Sequence, residues 1–132
     1  MQITKQADYA VRAMVFLAKL EPDKRAATSQ IAEVQKIPPS FLAKIISQLS
    51  ISGLINTSRG AHGGVMLSRP ADRISLLEVI EAIDGPISVN YCVLHPDSCD
   101  NREECPMHNI WVEVQQDLVK KLRATTFDTF VR

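Results

Sequence analysis

All three cysteines of the 132-residue chain fall within the stretch CVLHPDSCDNREECPMH, residues 92–108. The spacing is C-x6-C-x5-C-x2-H through Cys92, Cys99, Cys105 and His108. Thiolate and imidazole donors suit iron–sulfur clusters and zinc, and either needs at least one ligand beyond three cysteines. Cys105 and His108 stand three residues apart where a helical pattern begins, so they can face one ion. Zinc in tetrahedral coordination by three cysteines and one histidine is one metal reading. His95, beside Pro96, is expected to be solvent-exposed. A disulfide framework fits poorly, because three thiols leave one unpaired. The opening MQITKQADYA also lacks the basic-then-apolar order of a secretory signal, which makes a cytoplasmic, thiol-reducing location the expectation. No C-x-x-C pair and no nucleophile–base constellation is visible, so neither an enzyme nor a small-molecule substrate is expected.

The elements that must hold this stretch are legible from hydrophobic period. In TKQADYAVRAMVFLAKL, Ala7, Ala10, Val11, Met14, Leu17 and Leu20 form one helical stripe, with Thr4 as N-cap. EPDKRAA breaks the pattern. Thr28 or Ser29 is then expected to cap a short helix, SQIAEVQK, which must end at Pro38–Pro39. Pro39 suits the first turn of a third helix, PSFLAKIISQLSIS, with Phe41, Leu42, Ile45, Ile46 and Leu49 turned inward and Gly53 as its stop. The period changes in LINTS and VMLS, two short strands flanking RGAHGG, where Gly60, Gly63 and Gly64 shape a tight turn. Ser75 and Glu78 form a capping box before LLEVIEAID, and Gly85–Pro86 closes that helix. The cysteine stretch reads as a loop. A long helix, HNIWVEVQQDLVKKLRA, follows with Ile110, Trp111, Val114, Leu118 and Leu122 on a stripe, and TTFDTFV finishes as one capped turn.

The expected fold is therefore mainly α: a winged helix-turn-helix with a two-stranded β wing and a long C-terminal dimerisation helix. It is read as a single regulator domain over residues 1–132, with a DNA-binding part at 1–73 and a cluster-binding loop and dimerisation helix at 74–132. Charge divides at the same place. The chain is neutral overall, but residues 1–73 carry +5 and residues 74–132 carry −5. A basic front half suits double-stranded DNA, with the third helix in the major groove and the wing beside it. Pro39, Ser40 and Lys44 sit at the start of that helix. Thr28, Ser29 and Gln30 open the preceding one, whose N–H groups can receive a phosphate. Arg59 at the wing base is the strongest single candidate for phosphate or minor groove, followed by Gly60 and His62 at the tip. A domain this small can only partly cover the last helix's stripe. A second copy is the expected cover, giving a homodimer for a palindromic operator, with packing on the first helix as the intramolecular alternative. No apolar run is long enough for a membrane partner. A winged-helix adaptor that binds only protein is the reading from another class; steep salt dependence of operator affinity separates the two.

Several passages together resemble the Rrf2 family of bacterial winged-helix regulators, the group that includes IscR, NsrR and RirA. ITKQADYAVRAMVFLA is similar to the family's first helix and IPPSFLAKIISQLSISGLI to its recognition helix. SRGAHGGVMLSRP is similar to its wing signature, S-x-R-G-x-x-G-G with an apolar strand, and ISLLEVIEAIDGP to its next helix. The three cysteines fall where cluster-binding members keep theirs. The resemblance spans essentially the whole chain and implies an iron–sulfur cluster on Cys92, Cys99 and Cys105. It favours His108 as the fourth ligand of a 2Fe–2S cluster. The alternative is Asp8, contributed by the other subunit to a 4Fe–4S cluster. The chain departs from the pattern at Val65, where the wing usually has an aromatic residue. It departs again at Ala43, where IscR has a base-reading acid, and in a first cysteine gap one residue longer than in IscR.

Overall fold

The computed structural model describes residues 2–95, 97 and 105–131. Helix α1, Lys5–Ala18, begins where Thr4 accepts the Ala7 N–H at 3.1 Å, and it buries Ala7, Ala10, Ala13, Met14 and Leu17. The small residues on this face let α1 lie close to its neighbours. Two further helices, α2 (Thr28–Gln35) and α3 (Pro39–Ile51), form the helix-turn-helix. The turn between them hinges on Lys36, whose φ of 55° is left-handed, and whose N–H caps the Ala32 carbonyl. Pro39 at the first position of α3 costs no hydrogen bond there, since that N–H has no helical acceptor.

The wing is the antiparallel pair β1, Ile55–Ser58, and β2, Gly64–Leu67, in register Ile55 to Leu67. A third segment joins it: Ala26 exchanges hydrogen bonds of 2.9 and 2.8 Å with Val65. The EPDKRAA break is thus a strap that ties the wing to the start of α2. It also moves the helix start. The chain leaves the bridge at Ala27, which becomes the N-cap without a side-chain acceptor, so Thr28 and Ser29 lie inside the first turn instead of capping it.

Helix α4, Leu76–Asp84, opens with the expected box: Ser75 Oγ accepts from Glu78 N–H at 3.1 Å and Glu78 accepts from Ser75 N–H at 2.8 Å. Its far end is tied to α1, where the Thr4 N–H and hydroxyl donate to the Asp84 carboxylate. The cysteine stretch does not begin as a loop. Tyr91–Leu94 forms one helical turn, α5, capped by Asn90, because the Asn90 carboxamide accepts the Tyr91 N–H at 2.8 Å. Helix α6 runs His108–Ala124 and ends in a single 3-10 turn, Phe127–Phe130. That turn is part of the core. Phe127 is fully buried, and its N–H reaches back to the Ile74 carbonyl.

The main core gathers α1, α3, the wing base, α4 and Phe127 around Met14, Ile45, Leu49 and Val79. A second, smaller cluster of Leu77, Ile80 and Ile87 takes Leu118, Val119 and Leu122 of α6. The cover of the α6 stripe therefore comes from α4, with only Val11 contributed by α1. The reason is that α4 has two apolar faces, and α1 has given its own to α3 and the main core. Phe41 also departs from expectation. It is 46% exposed, because the first turn of α3 projects past the core edge, where the Tyr9 ring at 6.3 Å is its aromatic neighbour. No helix among the described residues is long and apolar enough to cross a membrane.

Candidate nucleic-acid interface and sensor site

The helix-turn-helix presents one polar face. Thr28, Ser29 and Gln30 are exposed at the open end of α2, where no side chain caps the N–H groups. An uncapped helix start in solvent is a ready acceptor for an anion. On α3, Pro39, Ser40, Ala43, Lys44 and Ser47 are all exposed, and the last four share a face by their three- and four-residue spacing. The wing brings Arg59, Gly60 and His62 to the surface beside them. Its tip depends on backbone approach. A Cβ on Gly63 would lie 2.5 Å from the Ser58 carbonyl oxygen, and one on Gly64, at φ 139°, would lie 2.8 Å from the Ala26 oxygen.

Between α3 and the wing lies a recess of about 610 Å³, whose polar lining includes Ser47, Ser50, Thr57, Ser58 and Arg59. The reading of the sequence named only Arg59 of these. Ser47 and Ser50 follow Ser40 and Lys44 along one side of α3, and that helical spacing was the available signal. Thr57 and Ser58 became visible only with the β register. Val65, in place of an aromatic residue, is 2% exposed at the wing base and lines the floor of this recess.

At the other end of the molecule, α5 and α6 meet. Cys92, on α5, and His108, the first residue of α6, are both half-buried, and Sγ lies 3.4 Å from Nδ1. Cys105 is half-buried just ahead, and its carbonyl accepts the His108 N–H at 3.4 Å. Gln115 fixes this junction. Its carboxamide oxygen accepts the Val89 N–H at 2.9 Å, and its amide donates to the Ile87 carbonyl, so α6 holds the segment leading into α5. Nothing in the sequence singled out Gln115, which reads there as one polar residue of a helical face. Cys99 lies outside the described residues. Among those described, no three His, Cys, Asp or Glu side chains gather as a metal site. Cys92 and His108 are thus brought together, whereas Cys105 stands near without closing on them.

Asp8 does not join this group within one protomer. Its carboxylate pairs with Arg12 one turn along α1 at 2.9 Å, and both side chains are 45% exposed. Such a pair contributes about 0.3–0.5 kcal/mol at most and leaves the carboxylate accessible. His95 is exposed and stacks on the Tyr91 ring at 4.3 Å.

Known proteins match this arrangement over nearly its whole length. The family model described as Rrf2, iron-dependent transcriptional regulator, matches residues 3–132. A putative HTH-type transcriptional regulator of Aquifex aeolicus is 30% identical over 125 residues, covering 93% of this chain and 86% of that protein. The HTH-type transcriptional regulator IscR of Xenorhabdus nematophila is 30% identical over 132 residues, all of this chain and 80% of the relative. Among solved structures, CymR, the global cysteine regulator of Bacillus subtilis, superposes with a TM-score of 0.82. It is 23% identical, covers 99% of this chain and 96% of its own, and shares the winged-helix fold. Family match, relatives and fold agree: the chain belongs to the Rrf2 family and is a DNA-binding transcriptional regulator.

Proposed function

We propose that the protein is a dimeric regulator that controls transcription through an iron–sulfur cluster held at the junction of α5 and α6. The observation that carries this reading is the 3.4 Å approach of Cys92 Sγ to His108 Nδ1, with Cys105 beside them. Two donors on different helices already face each other, and two more cysteines belong to the segment that joins those helices. Thiolates with one imidazole form a donor set that a 2Fe–2S cluster accepts, and Cys92, Cys99, Cys105 and His108 would hold it. Asp8 is the alternative fourth ligand, reached only from the other protomer and suited to a 4Fe–4S cluster. When bound, such a cluster supplies a centre that responds to iron supply, oxidants or nitric oxide.

The chain's own residues would carry the response. Cys92 moves with α5 and His108 with α6, and Gln115 clamps the two together. Helix α6 packs on α4, which packs on α1 and α3. A change in spacing at the α5–α6 junction therefore has a continuous packed route to the DNA-facing helix, and it would shift the population of operator-binding dimers. Residues 1–73 would do the reading and residues 74–132 the sensing and pairing, within one domain. On the DNA side, Thr28, Ser29 and Gln30 would receive a phosphate at the α2 start. Pro39, Ser40 and Lys44 would enter the major groove, and Arg59, Gly60 and His62 would meet backbone or minor groove. Ile110 and Val114 of α6, 54% and 44% exposed, would be covered by the second copy.

The test is an anaerobic visible and Mössbauer spectrum of the wild type beside His108→Ala and Asp8→Ala, with operator affinity measured on the same samples. A coloured, iron- and sulfide-containing wild type is expected. Its spectrum should change in His108→Ala and stay unchanged in Asp8→Ala. A colourless protein carrying zinc would replace the cluster by a structural metal on the same ligands. Operator binding that stays constant when the cluster is lost would remove the sensing role.

A further inference from the structure

Between α2 and α3 lies a second recess of about 600 Å³. Unlike the one beside the wing, its floor is apolar. Leu42, Ile46 and Ala32, each no more than 7% exposed, form the base, and the exposed Ala43 and Pro39 form its α3 edge. Its other rim is polar, with Thr28 and Ser29 at the start of α2 and the exposed Glu33 one turn further along. Ala43 stands three residues after Ser40 and four before Ser47, directly beside Lys44, in the middle of the outward face of α3. It offers neither donor nor acceptor, so no hydrogen-bonded base contact can originate from its side chain.

We infer that this recess reads thymine: the 5-methyl group of a thymine in each operator half-site would enter the apolar opening beside Ala43. The inference rests on the proposed insertion of α3 into the major groove. In that groove the thymine methyl is the one apolar group that a base edge presents, and alanine is a side chain suited to contact it. A recess edged by the Thr28 and Ser29 hydroxyls and by Glu33, yet apolar at its base, suits a methyl group that projects beside polar base atoms. Its position between the two helices continues the surface that a helix-turn-helix uses for DNA. Burying one methyl group corresponds to about a 4-fold change in affinity.

The experiment uses the full chain, purified anaerobically, and a duplex selected by it from a random-sequence library. Each thymine of that duplex is replaced in turn by uracil, which removes only the methyl group. One thymine per half-site should weaken binding about 4-fold when replaced, and that difference should vanish with Ala43→Asn. Penalties at other positions and the salt dependence should persist in the variant, which reports that it remains folded. Equal affinity for every uracil-substituted duplex overturns the inference while leaving operator binding intact. So does a uracil penalty that survives Ala43→Asn. Failure to select any sequence overturns the proposed function together with it.

Discussion

The two halves of the molecule are held together in different ways. The helix-turn-helix and wing close on themselves: Met14, Ile31, Leu42, Ile45 and Leu49 are at most 1% exposed, and the Ala26 bridge straps the wing in place. The proposed sensor half has little enclosed core of its own. Leu77, Ile80 and Ile87 make up its buried cluster, and not one described residue of α6 is fully buried. A helix of 17 residues with its first apolar positions in water is only half assembled by its own chain. The proposed DNA-reading part is therefore closed by its own chain, whereas the proposed sensing part leaves apolar positions of α6 uncovered. That contrast suits a switch, because segments of low local stability are the ones that can change arrangement.

The contrast breaks most strongly at Phe127. This residue lies in the sensor half by sequence, yet it is fully buried in the core of the DNA-reading half, edge-on to Phe130. Phe127→Ala is expected to destabilise the whole domain by about 3–5 kcal/mol. Thermal unfolding should show it as a fall in Tm of roughly 10–20 °C, with or without the proposed metal centre. A fall confined to the metal-free form would mean that the 3-10 turn belongs to the sensor half.

Much of the fold was legible in the sequence, and the misses have physical causes. The stripe of α1, the Ser75–Glu78 box and the hairpin around RGAHGG emerged because period and capping are local signals. Phe127, the Ala26 bridge and the Gln115 clamp did not, since each depends on a partner at least 26 residues away. Phe41 failed for a related reason. Its spacing places it on the inward stripe, but whether the core extends that far is decided by α1. For the proposed sensor site, the sequence spacing offered Cys92, Cys99, Cys105 and His108 as candidate donors, and the fold brings Cys92 and His108 face to face from two helices.

A smaller effect sharpens the comparison on the sensor side. Val114→Glu places a charge on the exposed part of the α6 stripe, away from the Leu118–Leu122 contact with α4. Monomer stability should change by less than about 0.5 kcal/mol, as for an ordinary surface substitution. Self-association should weaken by on the order of 30-fold, because an unpaired charge would be buried in the interface. Sedimentation equilibrium checks the second quantity and thermal unfolding of dilute protein the first. An unchanged association constant would locate the dimer contact elsewhere.

The smallest effect tests the DNA-reading half at the strained joint of its helix-turn-helix. Lys36 adopts a left-handed backbone between α2 and α3, where its exposed side chain makes no hydrogen bond or ion pair among the described residues. A lysine there carries the steric cost of a left-handed L-residue, which glycine lacks, although glycine loses more backbone entropy on folding. The steric saving is the larger, so Lys36→Gly should stabilise the domain by about 0.5–1 kcal/mol. It also removes a positive charge from the basic half without touching Ser40, Lys44 or Arg59. If Lys36 lies off the DNA surface, the salt dependence of operator binding should keep its slope as stability rises. A slope shallower by about one unit would instead assign Lys36 to a phosphate, and the turn would then be strained for the sake of that contact.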